Sequence, residues 1–255
     1  MKTRAINGQD VRQYGLGGLL LFTFAPAIVV MFARGGAIVL EPLGGGIAIS
    51  AFFALEAVIL SVFLYAFSKR EGAFSWRGAI PYQARLSPVL FVFLLLGATA
   101  YAIYFRDFFR WRPLMEAAGH LQNALAFWPP DWLRGPPFGV TYDDATPLAT
   151  KLGLLTFGMV AVGAASFMQT LYFRGFLLPR MEYLGWAAPF ANTALFVAFH
   201  LHSPPFWHLF FIFTLMWGVV AYAFRNVWVA VISHVIFNTY SYVLIMGQEI
   251  AAAGR

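Results

Sequence analysis

Residues 167–181 read FMQTLYFRGFLLPRM and place an arginine, Arg174, in one of the most apolar parts of the chain. A charged side chain inside an apolar membrane helix is costly and marks a functional site by default. Gln169 and Thr170, about one turn earlier, are neutral and stand where acidic partners for the arginine would be expected. The stretch therefore predicts a buried polar site in a membrane helix.

The composition is that of a protein with several membrane-spanning segments. Of 255 residues, 60% are hydrophobic and 11% charged, with a mean hydropathy of +0.70, whereas about 25% of residues are charged in a typical soluble domain. The net charge is +6, but no basic run could follow a phosphate backbone, so we expect no nucleic-acid partner. The absence of cysteine excludes disulfides, a thiolate nucleophile and a Cys-ligated zinc site.

Apolar runs long enough to cross a bilayer occur about seven times. The last four follow one another with short connections, and a segment rich in Trp, Pro and Arg, 106–150, precedes them. We interpret this segment as amphipathic and interfacial. The sequence thus predicts an all-α, polytopic transmembrane helical bundle of about seven to eight helices, with N-terminal helices and interfacial loop in 1–150 and a functional core in 151–247. The runs are 15–33, 43–67, 88–105, 152–178, 187–202, 206–224 and 227–247.

The distribution of Lys and Arg predicts the orientation. With seven spans and an inside N-terminus, most of these residues fall on inner segments, and only Arg34 and Arg255 fall on short outer ones. Positive residues are enriched in cytoplasmic loops. We therefore expect a multi-pass protein of a cell membrane, with a bacterial inner membrane as the simplest case, whose N-terminus is cytoplasmic. We find no internal repeat of the kind that transporters carry.

Three polar patches occur on separate helices in the second half of the chain. Residues four apart share a face of a helix, so each of the last two patches projects its end residues from one face. A helix rises about 1.5 Å per residue, and we expect the helix that carries Gln169 to end at Pro179. On this basis all three patches fall in the same middle-to-inner layer of the membrane. We predict one polar pocket open to the inner side; the alternative is polar side chains that only join helices to one another. The patches are Gln169-Thr170 with Arg174, Phe196 with His200, and His234 with Asn238.

The order and spacing of the patches resemble the CPBP family, the intramembrane endopeptidases that include prenyl-protein (CAAX) processing proteases and bacteriocin-processing relatives. The family signature, EExxxR, FxxxH and HxxxN on separate transmembrane helices, is matched within residues 150–240, and FRGFLLPR after the first motif is also typical. The resemblance implies hydrolysis of a peptide bond in membrane-anchored or lipidated protein tails by an activated water. By motif position, Gln169 and His200 would activate the water, His234 and Asn238 would hold the oxyanion, and Thr170, Arg174 and Phe196 are the other motif residues.

Both glutamates of the EExxxR motif are absent, because Gln169 and Thr170 stand in their places. A carboxylate can take a proton from water and a neutral amide cannot; general acid–base catalysis typically contributes about 10²–10⁴ in rate. Unless another base takes over, the chain should be inactive or nearly so. The alternative function is that of a non-catalytic pseudoprotease that binds a partner protein or peptide. A natural loss of the acid and an engineered exchange of glutamate for glutamine both fit position 169.

Glu56 is the one acid deep in an apolar run, FFALEAVIL. It could supply the missing base or neutralise Arg174, but such a residue is more often paired within the bundle or kept protonated. Backbone carbonyls and Tyr172 could satisfy Arg174, and Glu182 is expected to be solvated or paired with Arg180. We expect no metal and no cofactor, because there is no HExxH motif and, without the two glutamates, a zinc site would keep only two imidazoles.

Overall fold

The computed structural model describes residues 3–37, 39–40, 45–72, 74–108, 120, 147–201 and 207–252. Within them, seven helices of 12 residues or more form a bundle, and a two-stranded antiparallel hairpin precedes the first helix. The interfacial segment predicted for 106–150 lies almost entirely outside the described residues. The elements are β1 (Thr3–Ile6), β2 (Gln9–Arg12), α1 (Leu16–Ala37), α2 (Gly45–Arg70), α3 (Pro88–Phe108), α4 (Leu148–Thr170), α5 (Ala188–Phe199), α6 (Trp207–Phe224) and α7 (Trp228–Ala252).

Each of the seven predicted apolar runs coincides with one of these helices, so the all-α bundle is confirmed. Five stretches of described helix are long and apolar enough to cross a membrane, with mean hydropathies of 1.6 to 2.4. The fourth stretch, Leu148–Phe199, contains α4, α5 and the helical turns between them, which are interrupted by a kink at Gly185. Helix α6 contributes a shorter apolar helix, Phe210–Phe224. Such stretches favour hydrocarbon over water as their surroundings.

The sequence predicted that the helix carrying the first motif ends at Pro179. In the structure, helical turns continue past this residue. Beyond Thr170 the chain continues in wide π-type turns, Leu171–Leu177, and then in tight 3-10 turns, Leu178–Ala187. Pro179 lies at the start of the second segment, where a missing N–H removes no helical hydrogen bond. The chain reverses at Gly185, whose φ of 58° is a left-handed conformation that glycine adopts without strain.

Helix α4 packs against both α2 and α7. Gly158 of α4 allows the phenol ring of Tyr242 on α7 to lie against the helix backbone, since a Cβ at this position would overlap the ring. Gly175, in the π-type turns, is approached by Ile80, whose Cδ1 would lie 2.9 Å from an added Cβ. The two glycines therefore allow close contact of this helix with its neighbours.

The N-terminal residues fold as the β1–β2 hairpin. Its turn contains Asn7 and Gly8, which have φ angles of 49° and 76°. An Asn-Gly pair is the strongest short-range signal for a hairpin turn, so the sequence carried this information. The hairpin is attached to the bundle, because Asn7 Nδ2 donates to Pro81 O at 2.9 Å and the Tyr14 N–H donates to Arg180 O at 3.2 Å.

A first buried ionic cluster surrounds Glu182, which is completely buried. Its carboxylate lies 3.0 Å from Arg4 Nε and 2.9 Å from Arg225 Nε, and accepts a hydrogen bond from Tyr82 at 2.8 Å. Burial and the neighbouring carboxylate raise the pKa of Tyr82, so the phenol remains a donor. The expectation that Glu182 is solvated or paired with Arg180 was therefore wrong, because the hairpin and the 225–227 turn cover this carboxylate.

A second cluster surrounds Glu71, which pairs with Arg180 and accepts a hydrogen bond from the Tyr14 hydroxyl. Arg180 also donates to Phe176 O at 2.6 Å, and its guanidinium lies 3.8 Å from the Phe176 ring centroid. Burial and Glu71 raise the pKa of Tyr14. The two clusters join segments that the sequence assigned to the inner side, so these segments lie at one end of the bundle, called the hairpin end below.

Candidate active site

The predicted site residues come from four stretches of helix. Most are buried, and His200 and Asn238 are half-buried. The last turn of α4 carries Gln169 and Thr170, the π-type turns carry Arg174, α5 carries Phe196 and ends just before His200, and α7 carries His234 and Asn238.

Thr170 and Asn238 contact the two ring nitrogens of His234. Thr170 Oγ1 lies 2.8 Å from Nδ1, and Asn238 Nδ2 lies 2.9 Å from Nε2. The Thr170 hydroxyl donates its single proton to Ser166 O at 3.0 Å, so it accepts from Nδ1. Nε2 in turn accepts from the Asn238 amide. This network holds His234 as a neutral imidazole that carries its proton on Nδ1.

Further contacts fix the orientation of this pair. Asn238 Nδ2 donates its second proton to Ser166 Oγ at 2.8 Å, and Ser166 donates to a backbone carbonyl of the preceding turn. Trp217 of α6 stacks on the His234 ring with centroids 4.1 Å apart, and its indole N–H donates to Ser233 Oγ at 2.9 Å. Helices α4, α6 and α7 thus hold the histidine ring and the asparagine amide between them. Ser166 and Trp217 were not predicted as site residues, because neither belongs to a motif.

The ring of Phe196 lies between three other motif residues. Its centroid is 4.8 Å from the His200 ring and 6.0 Å from the His234 ring, and the guanidinium of Arg174 lies 4.0 Å from it. The motif phenylalanine therefore has a packing role that places both histidines and the arginine around one aromatic ring.

His200 follows the last residue of α5 and is held by its own helix. Its Nδ1 lies 2.8 Å from Phe196 O, and a carbonyl can only accept, so Nδ1 carries a proton. The backbone carbonyl of His200 accepts a hydrogen bond from the Trp207 indole at 2.9 Å. In a neutral ring Nε2 then carries the lone pair, which makes it the nitrogen that can accept a proton or a hydrogen bond.

Arg174 is 1% exposed, and no acid contacts it among the described residues. One of its nitrogens donates to Thr214 O at 3.4 Å, while Nε and Nη1 have no hydrogen-bond partner within the described part of the chain. The expected contact with Tyr172 is absent, because that hydroxyl donates to Phe22 O at 2.6 Å. The Phe196 ring is thus the main stabilising contact of this cation.

Gln169 makes its hydrogen bond with a residue of another helix. Its Nε2 donates to Glu56 Oε1 of α2 at 2.6 Å, across 113 residues of sequence. Glu56 is 1% exposed, and Arg34 of α1 is close enough to interact with it electrostatically. The expectation that Glu56 is paired within the bundle is confirmed, and its partners are Gln169 and Arg34, not Arg174.

The chemical groups present define what this arrangement can do. Glu56 provides a carboxylate and His200 an imidazole that can accept a proton, while Asn238 provides an amide that can donate a hydrogen bond. Arg174 adds a buried positive charge. Within the residues that the structure describes, no group of three or more His, Asp or Glu side chains could hold a metal ion.

Comparison with protein families supports the resemblance found in the sequence. Residues 151–240 match the family described as type II CAAX prenyl endopeptidase Rce1-like. This confirms the family expected from the three motifs, over nearly the same residues. Neither the curated proteins nor the solved structures include a significant match to the chain. Glu56 and Arg34 lie outside the matched segment.

Proposed function

With residues 151–240 belonging to the Rce1-like family, we propose that this chain provides an intramembrane endopeptidase site for membrane-anchored or lipidated protein tails. The reaction is hydrolysis of a peptide bond by an activated water, without a covalent intermediate. One observation carries this proposal. His200 and His234, from the second and third motifs, and Arg174, from the first, surround the ring of Phe196 although they lie far apart in sequence.

The contacts support distinct roles for the four motif residues. His200 has an acceptor nitrogen that can orient a water molecule. Both amide protons of Asn238 are engaged, by His234 Nε2 and by Ser166 Oγ, so Asn238 stabilises the oxyanion only when it turns one of these protons towards the substrate. His234 holds that amide in place, and its Nδ1 proton is bound by Thr170. Oxyanion stabilisation by one such donor is worth about 10²–10³ in rate. Gln169 can hold a water molecule but cannot accept its proton.

None of the four motif residues is a carboxylate, and His200 is the one among them that can accept a proton. Hydrolysis therefore depends on His200 alone or on a base from another part of the chain. The second candidate function is binding of a membrane-anchored protein or peptide without hydrolysis. It is favoured by the amide at position 169 and by the hydrogen bonds that occupy both nitrogens of His234.

A cleavage assay separates the two functions. The native chain, Gln169→Glu, Gln169→Glu with Thr170→Glu, and His200→Ala in the native and Gln169→Glu backgrounds are purified and mixed with a library of membrane-anchored peptides that includes prenylated tails. Cleavage by the native chain or a Gln169→Glu form, lost at least 100-fold with His200→Ala, supports the endopeptidase. Specific binding without cleavage by any of these proteins would show the binding function instead.

A further inference from the structure

We propose that Glu56 of α2 supplies the carboxylate that the first motif lacks and is the general base of the site. This inference rests on the proposed endopeptidase function. It assigns a catalytic role to a residue outside the segment that matches the family, on a helix that the motifs do not include.

The geometry places this carboxylate next to the motif position. Gln169 occupies the place of the family's first glutamate, and its amide nitrogen lies 2.6 Å from Glu56 Oε1. Helix α2 packs against α4, and Glu56 is almost completely buried there. The site therefore contains one carboxylate and one amide in contact, with the carboxylate on α2.

The surroundings of Glu56 are those that a buried carboxylate requires. A charge inside a protein needs hydrogen bonds and an opposite charge; Gln169 provides the donor, and Arg34 provides the positive charge. Arg34 is also within electrostatic range of His200. Arg34 therefore acts electrostatically on both Glu56 and His200.

The amide of Gln169 is the chemically suitable neighbour for the carboxylate of Glu56. Two carboxylates in contact cannot both stay ionised and would have to share a proton. An amide in contact with a carboxylate avoids this repulsion and orients the acid through its N–H. Gln169 is therefore a positioning residue for Glu56, and the pair retains one acid although the motif has none.

The proposed step balances without a further reactant. A water molecule held by His200 Nε2 and Glu56 loses a proton to the Glu56 carboxylate as its oxygen bonds to the peptide carbonyl carbon. The carbonyl oxygen becomes the oxyanion, towards which Asn238 turns the N–H that it otherwise donates to Ser166 Oγ. When the C–N bond breaks, the proton on Glu56 passes to the leaving nitrogen, and the carboxylate is regenerated.

Exchange of the two side chains tests this role. The proteins are the native chain, Glu56→Gln, the reciprocal Glu56→Gln with Gln169→Glu, and Ser61→Ala as a control on α2. Glu56→Gln keeps an oxygen that can accept from Gln169 but removes the negative charge near Arg34, so thermal stability in detergent is measured beside activity to separate loss of structure from loss of the base. We expect Glu56→Gln to lower kcat about 10²–10⁴-fold with little change in KM, the reciprocal exchange to recover at least ten-fold, and the control to match the native chain.

The outcomes distinguish failure of the inference from failure of the proposed function. If Glu56→Gln cleaves as fast as the native chain, or if only Gln169→Glu forms cleave, the endopeptidase stands and Glu56 is not its base. If no protein cleaves any peptide, both proposals are wrong. A further outcome is that Glu56→Gln is inactive and the reciprocal exchange recovers nothing, while both proteins keep the native thermal stability. This outcome overturns the proposal that Glu56 supplies the carboxylate missing at position 169.

Discussion

Arg174 is a buried cation that no acid contacts within the described part of the chain, and the structure shows how this cation is accommodated. The guanidinium lies on the Phe196 ring, and one nitrogen reaches a backbone carbonyl. A desolvated cation–π contact is worth about 2 kcal/mol, whereas burial of a charge without full hydrogen bonding costs more. The arginine therefore contributes little to stability, which is consistent with a residue kept for the site.

Arg174→Met tests this interpretation. We expect the melting temperature in detergent to stay the same or to rise, because a buried charge is replaced by an apolar chain of similar length. Phe196→Leu should lower it, since the guanidinium loses its ring contact at a cost of about 1–2 kcal/mol. A loss of stability in Arg174→Met as large as that in Phe196→Leu would contradict this account.

Thr170 has replaced the second motif acid with a hydroxyl that accepts from His234. Thr170→Val keeps the shape of the side chain but leaves the Nδ1 proton without its acceptor, which should cost about 1–3 kcal/mol. Thr170→Ser, which keeps the hydroxyl, is the matched control. The imidazole ¹⁵N shifts should show the Nδ1–H form in the native protein and in the control; an Nε2–H form in the native protein would refute the assigned network.

At the scale of the element, the approach of α4 to α7 depends on one glycine. Gly158→Ala would place a methyl group in steric overlap with the Tyr242 hydroxyl oxygen, so the ring must move or the helices must separate, at a cost of about 1–3 kcal/mol. Gly153→Ala on the same helix meets no atom within 4 Å and should leave thermal stability in detergent unchanged or slightly raised. Equal effects of the two substitutions would mean that the contact does not limit the packing of α4.

The π-type turns after α4 alter the direction of the motif arginine. At about 100° per residue in an α-helix, side chains five positions apart, such as 169 and 174, differ by about 140°. Bonding from residue i to i+5 widens the turn and reduces this difference. The segment Leu171–Leu177 therefore favours placement of the arginine nearer the face that carries Gln169 and Thr170.

At the scale of the whole molecule, the two ionic clusters collect basic residues at the hairpin end, and we propose that this end is cytoplasmic. Since the chain has no cysteine, single substitutions can report the orientation cleanly. Ser87→Cys lies at the hairpin end, and Thr150→Cys lies at the far end of α4; both positions are exposed. A membrane-impermeant maleimide should label only Thr150→Cys in intact cells. Labelling of Ser87→Cys alone would show that the hairpin end faces the outside, which is the opposite orientation.

Local properties of the chain determined the membrane class, the seven helices and the motif pairs, because hydropathy and the spacing of four along a helix act within one element. His234 and Asn238 were predicted to share a face, and they are in hydrogen-bond contact. The hairpin could also be predicted from the sequence, because Asn7 and Gly8 form a typical hairpin turn. These features need no knowledge of which helices are neighbours.

The tertiary structure alone decided which charges meet. Glu182 is buried under Arg4 and Arg225, and Glu56 contacts Gln169 from a helix 113 residues away. Partnerships of this kind depend on how helices pack, and no periodicity in one segment reports the side chain opposite it. Which nitrogen of His234 carries the proton is likewise determined only by its neighbours on α4 and α7, because the ring itself permits either tautomer.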